Sequence, residues 1–166
     1  MKRLFHLLLC AATIILISSC GAAKQLSKTD TGKFRYEISG VNNGSQGSYL
    51  IKVWTYSPTK YADIEECKKN AVHGVIFKGY AGTANVHPQR PLVREAGAES
   101  KYGDFFGRFF ANGGEYNKYV TVTMGSQEIV KFGKEYKIGL VVSVSKDQLR
   151  KALEAAGVVR SLSSGF

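Results

Sequence analysis

Hydrophobic residues recur at every second position in several short stretches of the chain, which is the period of half-buried β-strands. This pattern predicts strands at residues 34–38, 49–56, 120–124, 129–132 and 136–144. The Asn- and Gly-rich residues 42–47 predict a hairpin between the first two strands. Glycines at residues 125 and 133 predict two further reversals between the last three strands. The sequence therefore predicts an antiparallel sheet of four to five strands.

Hydrophobic residues at helical spacing predict two helices beside these strands. In residues 61–78, Ile64, Cys67 and Val75 fall on one face, and Glu65 is spaced to form an i,i+4 ion pair with Lys69. Residues 145–148 have the pattern of a capping box, which predicts a C-terminal helix after them. The apolar residues of that helix share one face, so both helices are expected to pack against the sheet.

A third, short helix is predicted by a cluster of aromatic residues. Their spacing of three, four, seven and eight positions from the first residue places them on one face of two helical turns. This face has two interpretations: it closes the open side of the sheet, or it docks a partner after being presented by the irregular residues 83–102. The residues are Tyr102, Phe105, Phe106, Phe109 and Phe110.

These elements together predict one α+β domain at residues 33–166. Its antiparallel sheet carries one long helix, with the short aromatic helix and the C-terminal helix close by. The sequence contains no internal repeat and no sign of a second domain. A chain of this size can bury a core without a disulfide or a metal ion.

The chain is basic, with 23 Lys and Arg against 13 Asp and Glu and a net charge of +10. For an exported protein, this charge suggests anionic lipid head groups, acidic glycans or an acidic protein partner, and no nucleic acid. The alternative is a lysine-rich soluble surface with no specific ligand. Of the three cysteines, Cys67 lies on the apolar face of the long helix, so we expect it to be buried.

The first residues have the pattern of an export signal. Lys2 and Arg3 precede an apolar run over residues 4–17, which is shorter than the roughly 20 residues that a permanent membrane helix needs. Two small residues, Ser18 and Ser19, then precede Cys20. This order predicts a cleaved signal peptide at residues 1–19. An ordinary signal peptide with a chance cysteine is the alternative.

Residues 17–20 (Ile-Ser-Ser-Cys) resemble the lipobox of bacterial lipoproteins. The resemblance implies cleavage after Ser19, acylation of Cys20 with membrane-embedded chains such as palmitate, and a mature protein held on an envelope membrane. Residues 20–32 lack periodicity and are predicted to be the lipidated N-terminus and a tether. No aspartate follows Cys20, which for lipoproteins of this kind favours the outer membrane, facing the periplasm.

The chain offers little catalytic chemistry. Cys67 and His73 are six residues apart on the predicted helix, which turns them onto different faces, so they do not form a nucleophile–base pair. Only His73 and His87 accompany Cys67 as nitrogen and sulfur ligands in the mature chain, too few for a convincing zinc site. The sequence predicts no catalytic residue, no metal site and no cofactor, and hence no enzyme.

The order of elements is similar to the domain of LPP-type envelope lipoproteins and of some flagellar-assembly accessory proteins. The similarity lies in residues 48–157 and includes a strand that runs directly into a capped helix at residues 136–153. These families carry no catalytic residues, so the resemblance implies a non-catalytic accessory or structural subunit of an envelope assembly. The alternative is a lipoprotein that binds an anionic glycan or lipid through a basic face.

Overall fold

A computed structural model of the chain describes residues 34–42, 47–123, 125 and 127–161. The chain divides into two units, Met1–Arg35 and Tyr36–Phe166. The predicted signal peptide, Cys20 and the tether lie outside the described residues. The elements of the second unit are β1 (Tyr36–Asn42), β2 (Tyr49–Ser57), α1 (Ile64–Phe77), α2 (Ala98–Lys101), α3 (Gly103–Phe109), a 3₁₀ helix (Glu115–Tyr119), β3 (Val120–Val122), β4 (Glu128–Phe132), β5 (Glu135–Val144) and α4 (Lys146–Ala155).

The five strands form one antiparallel sheet in the order β1-β2-β5-β3, with β4 also paired to β5. The predicted α+β fold is therefore confirmed. β2 and β5 pair along nearly their whole length, from Tyr49 opposite Val144 to Ser57 opposite Tyr136. Their alternating aliphatic residues, such as Val53 and Leu140, fill the core beneath α1.

The last three strands are connected differently from the prediction. β3 pairs with Val142–Val144 of β5, and β4 pairs with Glu135–Gly139 on the same edge. β3 and β4 therefore run in the same direction along one edge of β5, which is long enough to hold both short strands, and the predicted reversal between them is wrong. The second predicted reversal is present: Gly133 has a φ of +61° in the tight turn between β4 and β5.

The long helix α1 is shorter than predicted, since it begins at Ile64 and not at residue 61. Asp63 is its N-cap, and its side chain accepts hydrogen bonds from the backbone N–H groups of Glu65 and Glu66. The helix packs closely on β1: a Cβ atom at Gly74 would lie 2.7 Å from Cδ1 of Ile38. Cys67 is fully buried on this packed face, as predicted.

The C-terminal helix α4 lacks the predicted capping box. The side chain of Ser145 makes no capping hydrogen bond, and the backbone N–H of Asp147 donates instead to the carbonyl of Gly47 at 3.1 Å. A tertiary backbone contact thus takes the place of the local cap. Leu149 and Leu153 are fully buried, so α4 packs through its predicted apolar face.

Candidate functional site

The sheet has two different faces, and only one is covered by α1. Thr55 of β2 contacts α1, where its Oγ1 accepts a hydrogen bond from Nδ2 of Asn70 at 3.2 Å. The neighbouring residue Trp54 points to the opposite side, in one cross-strand row with Glu37, Gly139 and Glu128. We call this opposite side the open face; it includes Glu37, Lys52, Trp54, Tyr56, Glu128, Val130, Phe132, Lys137 and Gly139.

Trp54 lies at the centre of the open face. Its ring passes over Gly139, where a Cβ atom would be 2.8 Å from Cζ3 of the indole. The ammonium groups of Lys52 and Lys137 lie 4.4 and 5.1 Å from the ring centroid, within the range of cation–π attraction. The glycine therefore makes room for the ring, and the two lysines hold it in place.

The charges on the open face are paired across the strands. Lys52 forms an ion pair with Glu128, and Nζ of Lys137 lies 2.7 Å from Oε2 of Glu37. The hydroxyl of Tyr56 donates to the other oxygen of Glu37 at 2.7 Å. Hydrogen bonds from Lys137 and then Tyr56 lower the pKa of Glu37. The lysines of this face are thus already balanced by carboxylates.

Strand β4 is the most exposed element of the sheet. All five of its residues are exposed, including Ile129 at 45%, Val130 at 44% and Phe132 at 54%. The ring of Phe132 stands edge-on to the ring of Tyr56, with 5.6 Å between the ring centroids. The side of β4 that faces away from β5 pairs with no strand in the part of the chain that the structure describes. This edge therefore presents unpaired backbone N–H and C=O groups together with exposed apolar side chains.

The five aromatic residues predicted as a possible docking surface are divided between interior and surface. Phe106, Phe109 and Phe110 are 3%, 2% and 6% exposed, so a partner cannot reach them in the folded domain. They pack on one another and on Phe77, Tyr116 and Tyr119. Tyr102 and Phe105 are only half-buried. Docking through these two residues stays a prediction.

A buried histidine is the main polar group of the interior. Nδ1 of His73 lies 2.6 Å from the hydroxyl of Tyr36, and Nε2 lies 3.3 Å from a carboxylate oxygen of Glu99. Burial lowers the pKa of His73 to about 3 and raises the pKa of Tyr36. Because an ionised carboxylate only accepts, the neutral ring carries its proton on Nε2, and Tyr36 donates to Nδ1.

This Tyr–His–Glu arrangement contains the hydrogen-bond partners of a proton relay, but a substrate cannot reach the imidazole ring. The rings of Phe77 and Phe110 stand 4.8 and 5.6 Å from the imidazole, and His73 is only 5% exposed. A substrate therefore has no direct path to the ring. The sequence did not indicate this cluster, since Tyr36 and Glu99 are 37 and 26 residues away from His73.

The other reactive groups are engaged in structural contacts. Burial raises the pKa of the Cys67 thiol. Glu65 accepts hydrogen bonds from Lys68, Asn117 and Tyr116, which lower its pKa to about 2. The predicted pair of Glu65 with Lys69 is replaced by this pair with Lys68. Among the described residues, no group of three His, Cys, Asp or Glu side chains is placed to hold a metal ion.

Comparisons with known proteins add no further assignment. The chain matches no protein-family model, no curated protein and no solved structure. Among the helices that the structure describes, none combines the length and the apolar character needed to cross a membrane.

Proposed function

We propose that the protein is a non-catalytic lipoprotein of the cell envelope that binds a protein partner along β4. Acylated Cys20 would anchor it in the outer membrane, with the domain facing the periplasm as an accessory or structural subunit of an envelope assembly. The leader at residues 1–19 and the lipobox pattern that ends in Cys20 support the anchoring part of this proposal.

The exposure of β4 is the observation that carries the binding part. An edge strand with unpaired N–H and C=O groups is a template for a further strand, and soluble proteins usually protect such edges with charge, proline or a cover. β4 carries two charged residues, Glu128 and Lys131, and Glu128 is already paired with Lys52. The other three residues, Ile129, Val130 and Phe132, are apolar and exposed. A partner segment in extended conformation would satisfy the backbone groups and bury these side chains.

The charge pattern favours a protein over an anionic glycan at this place. Lys52 and Lys137 are the open-face cations, and each is paired with a glutamate. An anionic polymer would have to compete with those carboxylates for the two lysines. A polypeptide strand needs backbone hydrogen bonds and apolar contacts, which β4 supplies.

Site-specific photo-cross-linking in the cells that produce the protein tests this proposal. A benzoylphenylalanine placed at Val130 is expected to give one discrete protein adduct. Val41 is the matched control, since it is a valine of equal exposure, 43%, on the opposite edge strand β1. Equal adducts from Val130 and Val41, or adducts with lipid alone, would contradict docking along β4.

A substitution on β4 supplies the second half of the test. Phe132→Lys places a charge at the exposed edge and is expected to remove most of the Val130 adduct, because charged edges oppose strand addition. Tyr61→Lys is its control, since Tyr61 is an aromatic residue 83% exposed outside the sheet. An adduct that survives Phe132→Lys at full yield would argue against the proposal.

A further inference from the structure

A second surface feature lies on the helical side of the sheet, between the segment after α1 and the end of α4. It is a cleft of about 590 Å³. Its lining combines aliphatic and charged residues and contains no aromatic ring. The lining residues are Leu92, Val93, Arg94, Glu95, Arg150, Val158, Val159 and Arg160.

Backbone hydrogen bonds hold both walls of this cleft. On one side, the N–H groups of Leu92 and Val93 donate to the carbonyls of Val75 and Ile76 at 3.2 and 2.9 Å, which fixes the segment to the last turn of α1. On the other side, the N–H of Val158 donates to the carbonyl of Leu153 at 2.9 Å. The cleft is therefore formed before any ligand arrives, which lowers the entropic cost of binding.

The cleft carries positive charge that the protein does not neutralise. Glu95 is paired with Lys101 at 2.7 Å, and Arg150 is paired with Glu154 at 2.9 Å. Arg94 and Arg160 are exposed and form no ion pair with a carboxylate in the described part of the chain. Guanidinium groups bind phosphate through paired, charge-assisted hydrogen bonds. An anionic group is therefore the expected ligand of the arginines.

The aliphatic residues of the lining indicate which class of anionic ligand fits the cleft. Val93 and Val158 are 6% and 7% exposed and form the inner part of the cleft, with Leu92 and Val159 nearer the surface. Free phosphate would leave the half-buried side chains of Leu92 and Val159 in water, and a glycan would place hydroxyl groups against them without partners. A ligand with an anionic head and an attached hydrocarbon part uses both halves of the lining.

We propose that this cleft binds an anionic phospholipid, with the phosphate at Arg94 and Arg160 and the adjoining glycerol-ester and hydrocarbon part against the half-buried Leu92 and Val159. The site is separate from β4 and does not depend on a protein partner there. The cleft is a specific place where the basic charge of the chain can attract an anion. The lysines of the open face are less suited to this, because each is paired with a glutamate.

Titration calorimetry on the mature lipidated protein in neutral detergent tests the proposal. The probes are dihexanoyl-phosphatidylglycerol, its zwitterionic phosphatidylcholine counterpart and inorganic phosphate, with the heat of lipid uptake into empty micelles subtracted. We expect the phosphatidylglycerol to bind at least about tenfold more tightly than either other probe, and its affinity to fall as salt is raised. Equal affinity for the two lipids, or for phosphate and phosphatidylglycerol, would overturn the proposal.

Paired variants separate the cleft from general electrostatics. Arg94→Gln with Arg160→Gln should weaken phosphatidylglycerol binding at least about tenfold, because both unpaired guanidinium groups are lost. Lys60→Gln with Lys134→Gln removes the same charge from exposed positions outside the cleft and outside β4, and should leave the affinity within about twofold. Equal losses in the two double variants would show that net charge, and not the cleft, attracts the lipid.

Discussion

His73 is a buried residue whose charge state is tied to the stability of the fold. Its folded pKa of about 3 lies below the ordinary value of 6.5, so the folded domain keeps the ring neutral where an unfolded chain would protonate it. Proton binding therefore favours the unfolded state as pH falls through this interval. The stabilisation is fully present above about pH 6.5 and is lost progressively toward pH 3.

We predict that the free energy of unfolding falls between pH 6.5 and pH 5, by up to about 1.4 kcal/mol per pH unit. Urea unfolding at several pH values in this window measures the slope. Glu65 and Glu37 have lowered pKa values, so their contributions are lost below the ordinary carboxyl pKa and lie outside this window. Burial raises the pKa of Glu66, so protonation of Glu66 favours the folded state and opposes the His73 slope at the acidic end of the window.

Substitutions at His73 and His87, the two histidines of the described residues, assign the slope. His73→Gln should abolish the fall in unfolding free energy between pH 6.5 and 5, whatever its cost at neutral pH. His87→Gln should retain the slope, since His87 is exposed in the segment after α1. A slope that persists in His73→Gln would mean that another group titrates there.

Individual residues also show where sequence patterns stop being informative. The burial of Cys67 was predictable, because helical periodicity alone places it on the apolar face. The hydrogen bonds of His73 were not, since they join three segments that meet only in the folded domain. The open face was within reach of the pattern: Lys52, Trp54 and Tyr56 alternate with the buried residues of β2. When one face of a strand is buried, the alternation of residues shows which side chains lie on its other face.

At the scale of elements, the contact between α1 and β1 depends on the absence of one side chain. A Cβ atom at Gly74 would lie 2.7 and 3.0 Å from Cδ1 and Cγ2 of Ile38, and 3.1 Å from the ring of Tyr36. The helix can approach the sheet this closely only with glycine at that position. Helix propensity would favour alanine by about 1 kcal/mol, so packing opposes local preference here.

We predict that Gly74→Ala lowers the free energy of unfolding by about 1–3 kcal/mol, because the methyl group forces α1 away from β1. Gly107→Ala in α3 is the matched control, since a Cβ atom there meets nothing within 4 Å. That variant should raise the stability by up to about 1 kcal/mol. Urea unfolding of both variants measures the difference, and a stabilised Gly74→Ala would contradict the close approach.

The elements themselves were largely predictable, whereas their connections were less so. Period-two and helical patterns located the strands, α1 and α4 because burial imposes those periods directly. The predicted reversal between β3 and β4 was wrong, because a glycine at residue 125 is compatible with a connection that continues in the same direction as well as with a reversal. Whether it reverses depends on how much free edge β5 offers, which is a property of the whole sheet.

Across the whole molecule, the two proposed binding features lie on different parts of the fold. β4 is at an edge of the sheet, and its open-face side is opposite α1. The arginine cleft lies on the helical side, where residues 92 and 93 are bonded to the end of α1. A phospholipid in the cleft would thus leave β4 accessible, and the domain could contact a membrane and a partner at the same time.

Membrane attachment through Cys20 is the prediction that concerns the whole chain. We expect mass spectrometry of the mature protein to find Cys20 as the first residue, carrying a diacylglyceryl group, and labelled palmitate to be incorporated. Cys20→Ala should abolish both. Cys10→Ala is the matched control, since Cys10 follows three leucines inside the predicted signal and should leave the labelling unchanged.

Membrane washing separates this anchor from the arginine cleft. Each buried methylene of an acyl chain contributes about 0.8 kcal/mol, so two or more chains hold a protein durably, and this attraction does not depend on salt. Head-group contacts at Arg94 and Arg160 are weakened by salt. High salt should therefore leave the wild-type protein in the membrane fraction, and neutral detergent should release it. Release by salt alone, together with an unmodified amino terminus, would show that charge and not acylation provides the attachment.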